Sequence, residues 1–346
     1  MVCFEVMKIL GIETSCDETA VAVVEDGKRI LFHLIASQAE VHERYGGVFP
    51  EMASRQHIDR ILPLVEKAIE EAGPVDAIAV ANGPGLMGSL LMGTTAAQTL
   101  AYSWDLPLIG VNHVDAHLYA AMMGEEAKML FPALGVVVSG GHTFLAKISS
   151  VGSYTVLGTT VDDAVGEAFD KVATLLGLPY PGGPHIEKLA EAGDPSLYSF
   201  KGGVVKGRPL DFSFSGLKTN VLYTIKGKNG QRSSPDTISD EEKKHIAASF
   251  QQTALRDIVE KSLKAAQTFP CQAIYLGGGV TNSRALKNLF QEKNLEIPLF
   301  WPPRDLSLDN AAMIAGLAYH LYQSGALASP LDIKVFPKID FKSALC

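Results

Sequence analysis

Two stretches with the same layout, one in each half of the chain, constrain its fold more than any other feature. Lys8 to Thr14 reads as a buried strand, Ser15-Cys16-Asp17-Glu18 as a polar turn, and Thr19 to Val24 as a returning strand. Ala133 to Val138 repeats the pattern, with Ser139-Gly140-Gly141-His142-Thr143 as the turn and Phe144 to Ile148 as the second strand. The repeat predicts an α/β fold of two related lobes, each offering a hairpin to a shared cleft. A polar tip can be no more than a tight turn. It can also turn backbone N–H groups toward a phosphate while its acids hold a cation or a proton, and two glycines let a ligand approach closely. A chain of 346 residues is long for one simple core, and 47% hydrophobic content with 32 glycines suits an α/β protein rich in tight turns. The expected boundary gives residues 1–111 to the first lobe and 112–346 to the second, with a helix near 309–323 packing back toward the cleft.

Between the hairpins the pattern alternates. Ile30 to Ile35 predicts a third strand, and Glu51 to Ala72 a helix whose apolar stripe includes Met52, Ile58, Ile61, Leu62, Val65 and Ile69. His57 on that helix is expected to be structural. Ala77 to Ala81 predicts a strand, followed by a glycine-rich turn through Gly83-Pro84-Gly85 and a helix of small residues around Gly93 to Ala97. No G-x-x-x-x-G-K-[ST] is present, which excludes a P-loop NTPase. Later segments predict a helix opened by Asp162 and Asp163 and ended by Gly177, a rigid turn over Pro179 to Pro184, and a helix near Ile186 to Glu191. A linker is expected from Lys226 to Pro235 and a long helix from Asp240 to Thr268. The last unit is a strand, Ala273 to Leu276, then Gly277-Gly278-Gly279 before a helix, a strong candidate for nucleotide contact.

Chemistry concentrates in Asn112-His113-Val114-Asp115-Ala116-His117. Histidines four apart share one helix face, one turn above each other, at a separation that suits one metal ion. Asp309, at the start of a late helix, is the best third ligand. The plain alternatives are ordinary paired histidines and an N-capping aspartate. A zinc protease is excluded, because such enzymes place Glu directly after the first histidine and this chain has Val114. Asp170 follows the apolar Ala168-Phe169 and is read as a residue that could face the cleft.

A net charge of −8 argues against a protein that grips nucleic acid unaided over a wide surface. Between residues 201 and 232, however, seven Lys/Arg (Lys201, Lys206, Arg208, Lys218, Lys226, Lys228, Arg232) face one acid, Asp211, making this the natural RNA or phosphate contact. The scattered cysteines (Cys3, Cys16, Cys271, Cys346), the absence of a membrane-length apolar run and the lack of a signal-peptide pattern over Met1 to Lys8 predict a cytoplasmic protein with no membrane association.

Several motifs, in order from about residue 8 to about residue 325, resemble the bacterial TsaD (Gcp) family of tRNA threonylcarbamoyladenosine transferases. They are Gly11-Ile12-Glu13-Thr14-Ser15-Cys16-Asp17-Glu18-Thr19, Tyr45-Gly46-Gly47, Gly83-Pro84-Gly85, His113-x-x-x-His117, Val138-Ser139-Gly140-Gly141-His142, Phe169-Asp170-Lys171, Pro181-Gly182-Gly183 and Asp211-Phe212-Ser213-Phe214-Ser215-Gly216-Leu217-Lys218. The resemblance implies a two-lobed actin-like, sugar-kinase-like (ASKHA) fold. It also implies one divalent metal, iron or else zinc, on His113, His117 and Asp309. Val138, Ser139, Gly140, Gly141, His142, Asp170, Gly183, Glu187 and the loop after Gly279 are implied to hold threonylcarbamoyl-AMP. Many relatives read Gly-Gly-Val-x-Ala-Asn-Arg where this chain has Gly278-Gly279-Val280-Thr281-Asn282-Ser283-Arg284, so the ligand-binding position carries over to Ser283, with Asn282 as the alternative.

The implied reaction moves a threonylcarbamoyl group to the exocyclic amine of the adenine 3′ of the anticodon, in tRNAs reading codons that begin with adenine. Asp17 and Glu18 are then the best source of a general base or a tRNA-orienting group. Implied partners are a paralogous TsaB-like subunit, a TsaE-like ATPase and a TsaC-like enzyme that makes the donor. A small-molecule kinase and a non-catalytic scaffold are the rival readings; retention of all three metal-ligand positions speaks against the scaffold.

Overall fold

The computed structural model describes residues 6–43, 47–124, 127–226, 238–325 and 333–338. Tyr45, Gly46, Lys228, Arg232, Cys3, Cys346 and most of the expected linker lie outside the described residues. The chain forms two compact units: residues 1–129, 150–153 and 302–346 make the first, residues 130–149 and 154–301 the second.

In the first unit the chain runs β1 (Lys8–Glu13), β2 (Glu18–Glu25), β3 (Arg29–Ser37), α1 (Ala39–Glu43), α2 (Pro50–Ala72), β4 (Ala77–Gly83), α3 (Met87–Trp104), β5 (Leu108–Asn112) and α4 (His113–Ala120). In the second it runs β6 (Ala133–Val138), β7 (Thr143–Ser150), β8 (Ser153–Thr159), α5 (Val165–Leu175), α6 (Gly182–Ala190), α7 (Ser215–Lys226), α8 (Asp240–Thr268), β9 (Ile274–Gly277), α9 (Arg284–Gln291) and β10 (Leu299–Phe300). A last helix, α10 (Ala311–Gln323), belongs to the first unit.

The two sheets share one topology. Strand order is β3-β2-β1-β4-β5 in the first unit and, read from the same end, β8-β7-β6-β9-β10 in the second. Each opens with an antiparallel hairpin, Ile12 opposite Val21 and Val136 opposite Leu145. Each then adds a parallel strand on the other side of the first, Gly11 beside Ala79 and Gly135 beside Tyr275. The apolar runs of β1, β4, β6 and β9 are buried along nearly their whole length, as strands covered by helices must be. Leu10, Ile12, Val21, Val23, Ile61, Val65, Ile78 and Ala97 form one core. Val136, Leu145, Phe169, Val172, Phe214, Phe250, Ile258 and Leu276 form the other, where the Phe169 and Phe250 rings meet edge-on at 4.9 Å.

The first unit runs past the expected boundary at 111/112. Leu108–Asn112, for which no strand was expected, pairs in parallel with β4, and α4 packs on α10, which keeps both elements in the first unit. α10 itself packs on β1, β2 and α4. Gly11 makes that contact possible: a Cβ there would lie 2.4 Å from the Ala311 carbonyl oxygen. β8 and α7 are further elements absent from the sequence-based expectation; α7 begins inside the Asp211 to Lys218 motif. The tail at 333–338 lies along the first sheet, where Phe336 N–H donates to the Asn82 carbonyl at 2.8 Å.

Candidate functional site

In the first unit His113 opens α4, directly after Asn112, whose side-chain oxygen caps the helix by accepting from the amides of Val114 and Asp115. That cap sets the angle at which the imidazoles leave the helix. His113 and His117 are 3% and 0% exposed, with ring centroids 4.6 Å apart. Asp309 Oδ1 lies 3.5 Å from His113 Nε2 and 3.1 Å from His117 Nε2. Asp309 is not the helix cap, since Asn310 accepts from Met313 N–H and takes that role, leaving the carboxylate to the histidines.

These three side chains could hold a metal ion, one ligand atom from each lying within 4.8 Å of the others. Ligands about 2.1 Å from a tetrahedral ion sit about 3.4 Å apart, close to the observed spacings. His117 Nδ1 is buried without a hydrogen-bond partner, and its Nε2 meets only the Asp309 carboxylate among the described residues. Burial disfavours a charged His113, yet Glu13 and Asp309 outweigh it and raise its pKa well above the ordinary value. Burial likewise opposes a charged Asp309, while His113 and His117 hold its carboxyl well below the usual range. A site with that electrostatic bias stabilises a cation, and its donor set of two nitrogens and one oxygen fits iron or zinc.

Behind His113 stands Glu13, the last residue of β1, fully buried, with Oε2 2.9 Å from His113 Nδ1 and Oε1 accepting from Ser15 N–H at 2.5 Å. Ser15 Oγ is 3.2 Å from the same Nδ1. Glu13 was not among the expected site residues. Its signal in the sequence is an acid at the end of an otherwise apolar strand.

The hairpin tip carries Cys16, Asp17 and Glu18. Burial pushes the Cys16 thiol well above its ordinary value and raises Asp17. Burial first, then the neighbouring Asp17 and further off Asp309, raise Glu18 to about 8. Glu18 Oε1 accepts from Ser37 Oγ at 2.9 Å, while Oε2 is buried with no hydrogen-bond partner among the described residues. A half-used carboxyl that titrates near neutrality is equipped to take a proton. His57 is structural, as expected: Nδ1 meets Thr19 Oγ1 at 2.8 Å and Nε2 the Cys16 carbonyl at 3.1 Å.

The second unit gathers the other expected residues. Ser139 and His142 close the β6–β7 turn by Ser139 N–H to His142 C=O at 2.8 Å and His142 N–H to Ser139 Oγ at 3.0 Å. Gly140 and Gly141 stand exposed at the tip, where an added Cβ would meet nothing within 4 Å. Gly278, at φ +93°, lies against the Val138 carbonyl and Ser139, so the triple-glycine loop and the hairpin tip are neighbours. Asp170 Oδ1 accepts from Gly182 N–H at 2.7 Å and pins the start of α6, where Gly183 is open toward solvent. Glu187 on α6 accepts at Oε1 from Ser283 Oγ at 2.8 Å and from Ala285 N–H at 3.1 Å. Ser283 also caps α9 by accepting from Leu286 N–H. Within this unit Ser283 therefore links Glu187 to the start of α9.

The basic stretch is partly neutralised within the unit. Lys218 pairs with Asp163 at 3.1 Å, and Arg208 with Asp211. Lys201, Lys206, Arg208 and Lys226 are exposed. Among the described residues no helix is long and apolar enough to cross a membrane, and Cys16 and Cys271 are free thiols.

Two similar sheets with helical cover are the plan of actin-like, sugar-kinase-like proteins, and structural similarity agrees. HypF from T. kodakarensis superposes with a TM-score of 0.62 at 15% identity, over 92% of this chain and 48% of that one. The ROK hexokinase from Thermus thermophilus gives 0.52 at 16% identity, over 92% and 99%. The chain spans about half the length of HypF, and both likenesses concern the fold. The fold is thus of the actin-like, sugar-kinase-like (ASKHA) type. The family model described as TsaD, tRNA N6-adenosine threonylcarbamoyltransferase, matches residues 29–316. A Protochlamydia amoebophila protein of that description is 52% identical over 97% of this chain and 99% of its own length. One from Anaeromyxobacter dehalogenans is 47% identical over 95% and 98%. The chain belongs to the TsaD family of tRNA N6-adenosine threonylcarbamoyltransferases.

Proposed function

We propose that this transferase, acting in tRNA threonylcarbamoyladenosine modification, takes threonylcarbamoyl-AMP as donor and depends on one divalent metal, iron in the first place, held by His113, His117 and Asp309. The observation that carries the reading is the convergence of these three side chains beside a hairpin whose Glu18 has an unpartnered, buried carboxyl oxygen. The acceptor is the exocyclic amine of the adenosine 3′ of the anticodon, in tRNAs reading codons that begin with adenine.

The donor is a mixed carbamic–phosphoric anhydride, already activated, so no side-chain nucleophile is needed. The amine attacks the carbamoyl carbon, the bond to the phosphate oxygen breaks, and AMP leaves. A bound divalent cation supplies Lewis-acid stabilisation of charge on oxygen. The chain's own residues position and move the proton. Glu18, with Asp17 beside it, takes the proton that the attacking amine loses. The adenylate is assigned to Val138, Ser139, Gly140, Gly141, His142, Asp170, Gly183, Glu187 and Ser283. The exposed Gly140–Gly141 tip suits a phosphate, and the Glu187 carboxylate suits a ribose hydroxyl.

The exposed lysines between residues 201 and 226 are the local tRNA contact, with partner subunits supplying the rest against an acidic net charge. A TsaB-like paralogous subunit suits an apolar surface on the first unit. Ile58 and Leu62 on α2 are 59% and 55% exposed, and Met87 and Leu91 on α3 48% and 42%. Gly88 brings these helices close, since a Cβ there would lie 2.3 Å from Ser54 Oγ. A TsaE-like ATPase and a TsaC-like donor-making enzyme complete the set, in the cytoplasm.

A transfer assay tests the reading: the protein, with and without such partner subunits, receives threonylcarbamoyl-AMP and unmodified tRNA, and nucleosides are analysed by mass spectrometry. Threonylcarbamoyladenosine that disappears in His113→Ala or Asp309→Ala supports it. ATP consumption with a phosphorylated small molecule and no modified nucleoside would favour a kinase instead.

A further inference from the structure

The geometry points to Glu13 as a positioning residue for the metal centre: we propose that its carboxylate fixes the ring orientation and tautomer of His113, so that Nε2 is presented as a lone-pair donor toward His117 and Asp309. This inference rests on the reading that His113, His117 and Asp309 hold a metal. It assigns a role to a residue outside the ligand set.

Three observations carry it. Glu13 is fully buried, and a carboxylate is not buried without strong partners. Both of its oxygens are used: Oε1 takes the Ser15 amide at 2.5 Å and Oε2 faces His113 Nδ1 at 2.9 Å. The Ser15 contact closes the turn at the end of β1 and stops the carboxylate from rotating, leaving Oε2 aimed at the imidazole. A carboxylate can only accept, so a proton sits on Nδ1, and when a cation takes the place of a proton on Nε2, the lone pair of that nitrogen, which faces Asp309 at 3.5 Å, is the one offered to it. Ligating histidines commonly donate their second nitrogen to a carboxylate, which orients the ring and raises its donor strength. The backbone is suited to the task. Two residues before Glu13, Gly11 lets α10 abut β1, with the Ala311 carbonyl 2.4 Å from where a Cβ would be. The strand that bears Glu13 and the helix that follows Asp309 are thereby held at close range. Among the described residues His117 has no such partner: its Nδ1 is buried and unbonded, so the two histidines are unequal and His113 is the one oriented from outside the ligand set.

The test is Co2+ titration of the full-length metal-free protein, followed by its visible absorption, which reports affinity and ligand geometry together. Glu13→Gln keeps the size and an accepting oxygen but loses the charge; it should weaken Co2+ binding about tenfold and shift the absorption bands. Glu13→Ala should weaken it about 100-fold. Ser15→Ala keeps the backbone amide that holds Glu13 and should stay within a few-fold of wild type. Circular dichroism of Glu13→Gln checks that the fold survives. Wild-type affinity and an unchanged spectrum in Glu13→Gln, with binding lost in His113→Ala, would overturn the role of Glu13 while leaving the metal site standing. Failure of the wild-type protein to bind Co2+, or undiminished binding in His113→Ala, would remove the metal site and this inference with it.

Discussion

The two units are built on the same five-stranded plan and equipped for different chemistry. Each hairpin places a serine four residues before a threonine, Ser15 to Thr19 and Ser139 to Thr143. Each threonine ties the hairpin to a following helix, Thr19 through His57 of α2 at 2.8 Å and Thr143 through the Val165 amide of α5 at 2.9 Å. Between serine and threonine the units diverge. The first has Cys16, Asp17 and Glu18, partly buried and raised in pKa; the second has two exposed glycines and His142. One tip is an acid cluster beside three side chains that could hold a metal ion, the other an open backbone loop beside a triple-glycine turn. A duplicated scaffold can carry two functions because the side chains between its anchor points do not hold the sheet together.

The largest expected effect breaks the first unit's equipment alone. His113→Ala should remove metal binding and lower the transfer rate by at least about 10³-fold, since Lewis-acid stabilisation contributes several kcal/mol. Metal analysis and single-turnover rates check it, and circular dichroism should be unchanged.

Next, Glu18→Gln should cost roughly 10²- to 10³-fold in rate. The base must be ionised to act, so the wild-type rate should rise with pH through a midpoint near 8 and level off above it, and the variant should lose that limb. Asp309 is one of the charges that raise Glu18, so loading the site with a cation should move the limb to lower pH. Stability has the opposite sign. A carboxyl raised from 4.5 to about 8 keeps its proton when folded, so unfolding free energy falls as pH rises between those values. Urea melts at pH 5 and pH 8 should show a smaller difference in the variant. A counterpart change at the equivalent position of the second unit, His142→Ala, should raise KM for the adenylate with little change in this pH profile.

A pair of glycine changes sharpens the comparison. Gly11→Val forces a side chain into the Ala311 carbonyl and should cost about 3 kcal/mol and weaken metal binding. Gly278→Ala, at φ +93° and 2.5 Å from the Val138 carbonyl, should cost about 2 kcal/mol and leave metal affinity unchanged. Denaturant midpoints with parallel metal titrations separate the two. The smallest effect belongs to the anchors: Thr19→Val and Thr143→Val should each lose about 1 kcal/mol by leaving a buried partner unbonded, read as a lower Tm.

Much of this was legible along the chain. Strand-forming apolar runs with short polar turns predicted the two hairpins, the helical period placed α2, and turn and breaker residues bounded α3 and α5. His113 and His117 share a helix face by spacing alone. What spacing could not supply was any contact between distant segments. Leu108–Asn112 has no long period and declares itself a strand only by lying beside β4. β8 is a half-buried edge strand, and α7 begins in a stretch of alternating phenylalanines and serines followed by a glycine, so neither shows a clean pattern. Ser283 was expected to touch a ligand; that its hydroxyl also meets Glu187 and caps α9 could not be read from the sequence. Glu13 escaped notice because one acid in an apolar strand has meaning only when its partner, 100 residues away, is known.

Period, turn chemistry and spacing act over a few residues, and from them alone came most of the local elements, the duplicated hairpin and the candidate ligands. Only the tertiary structure decided that α4 and α10 belong with the first sheet, that Asn310 rather than Asp309 caps α10, and that Glu13 stands behind His113. Those outcomes depend on which surfaces bury one another, and burial is settled by packing across the fold.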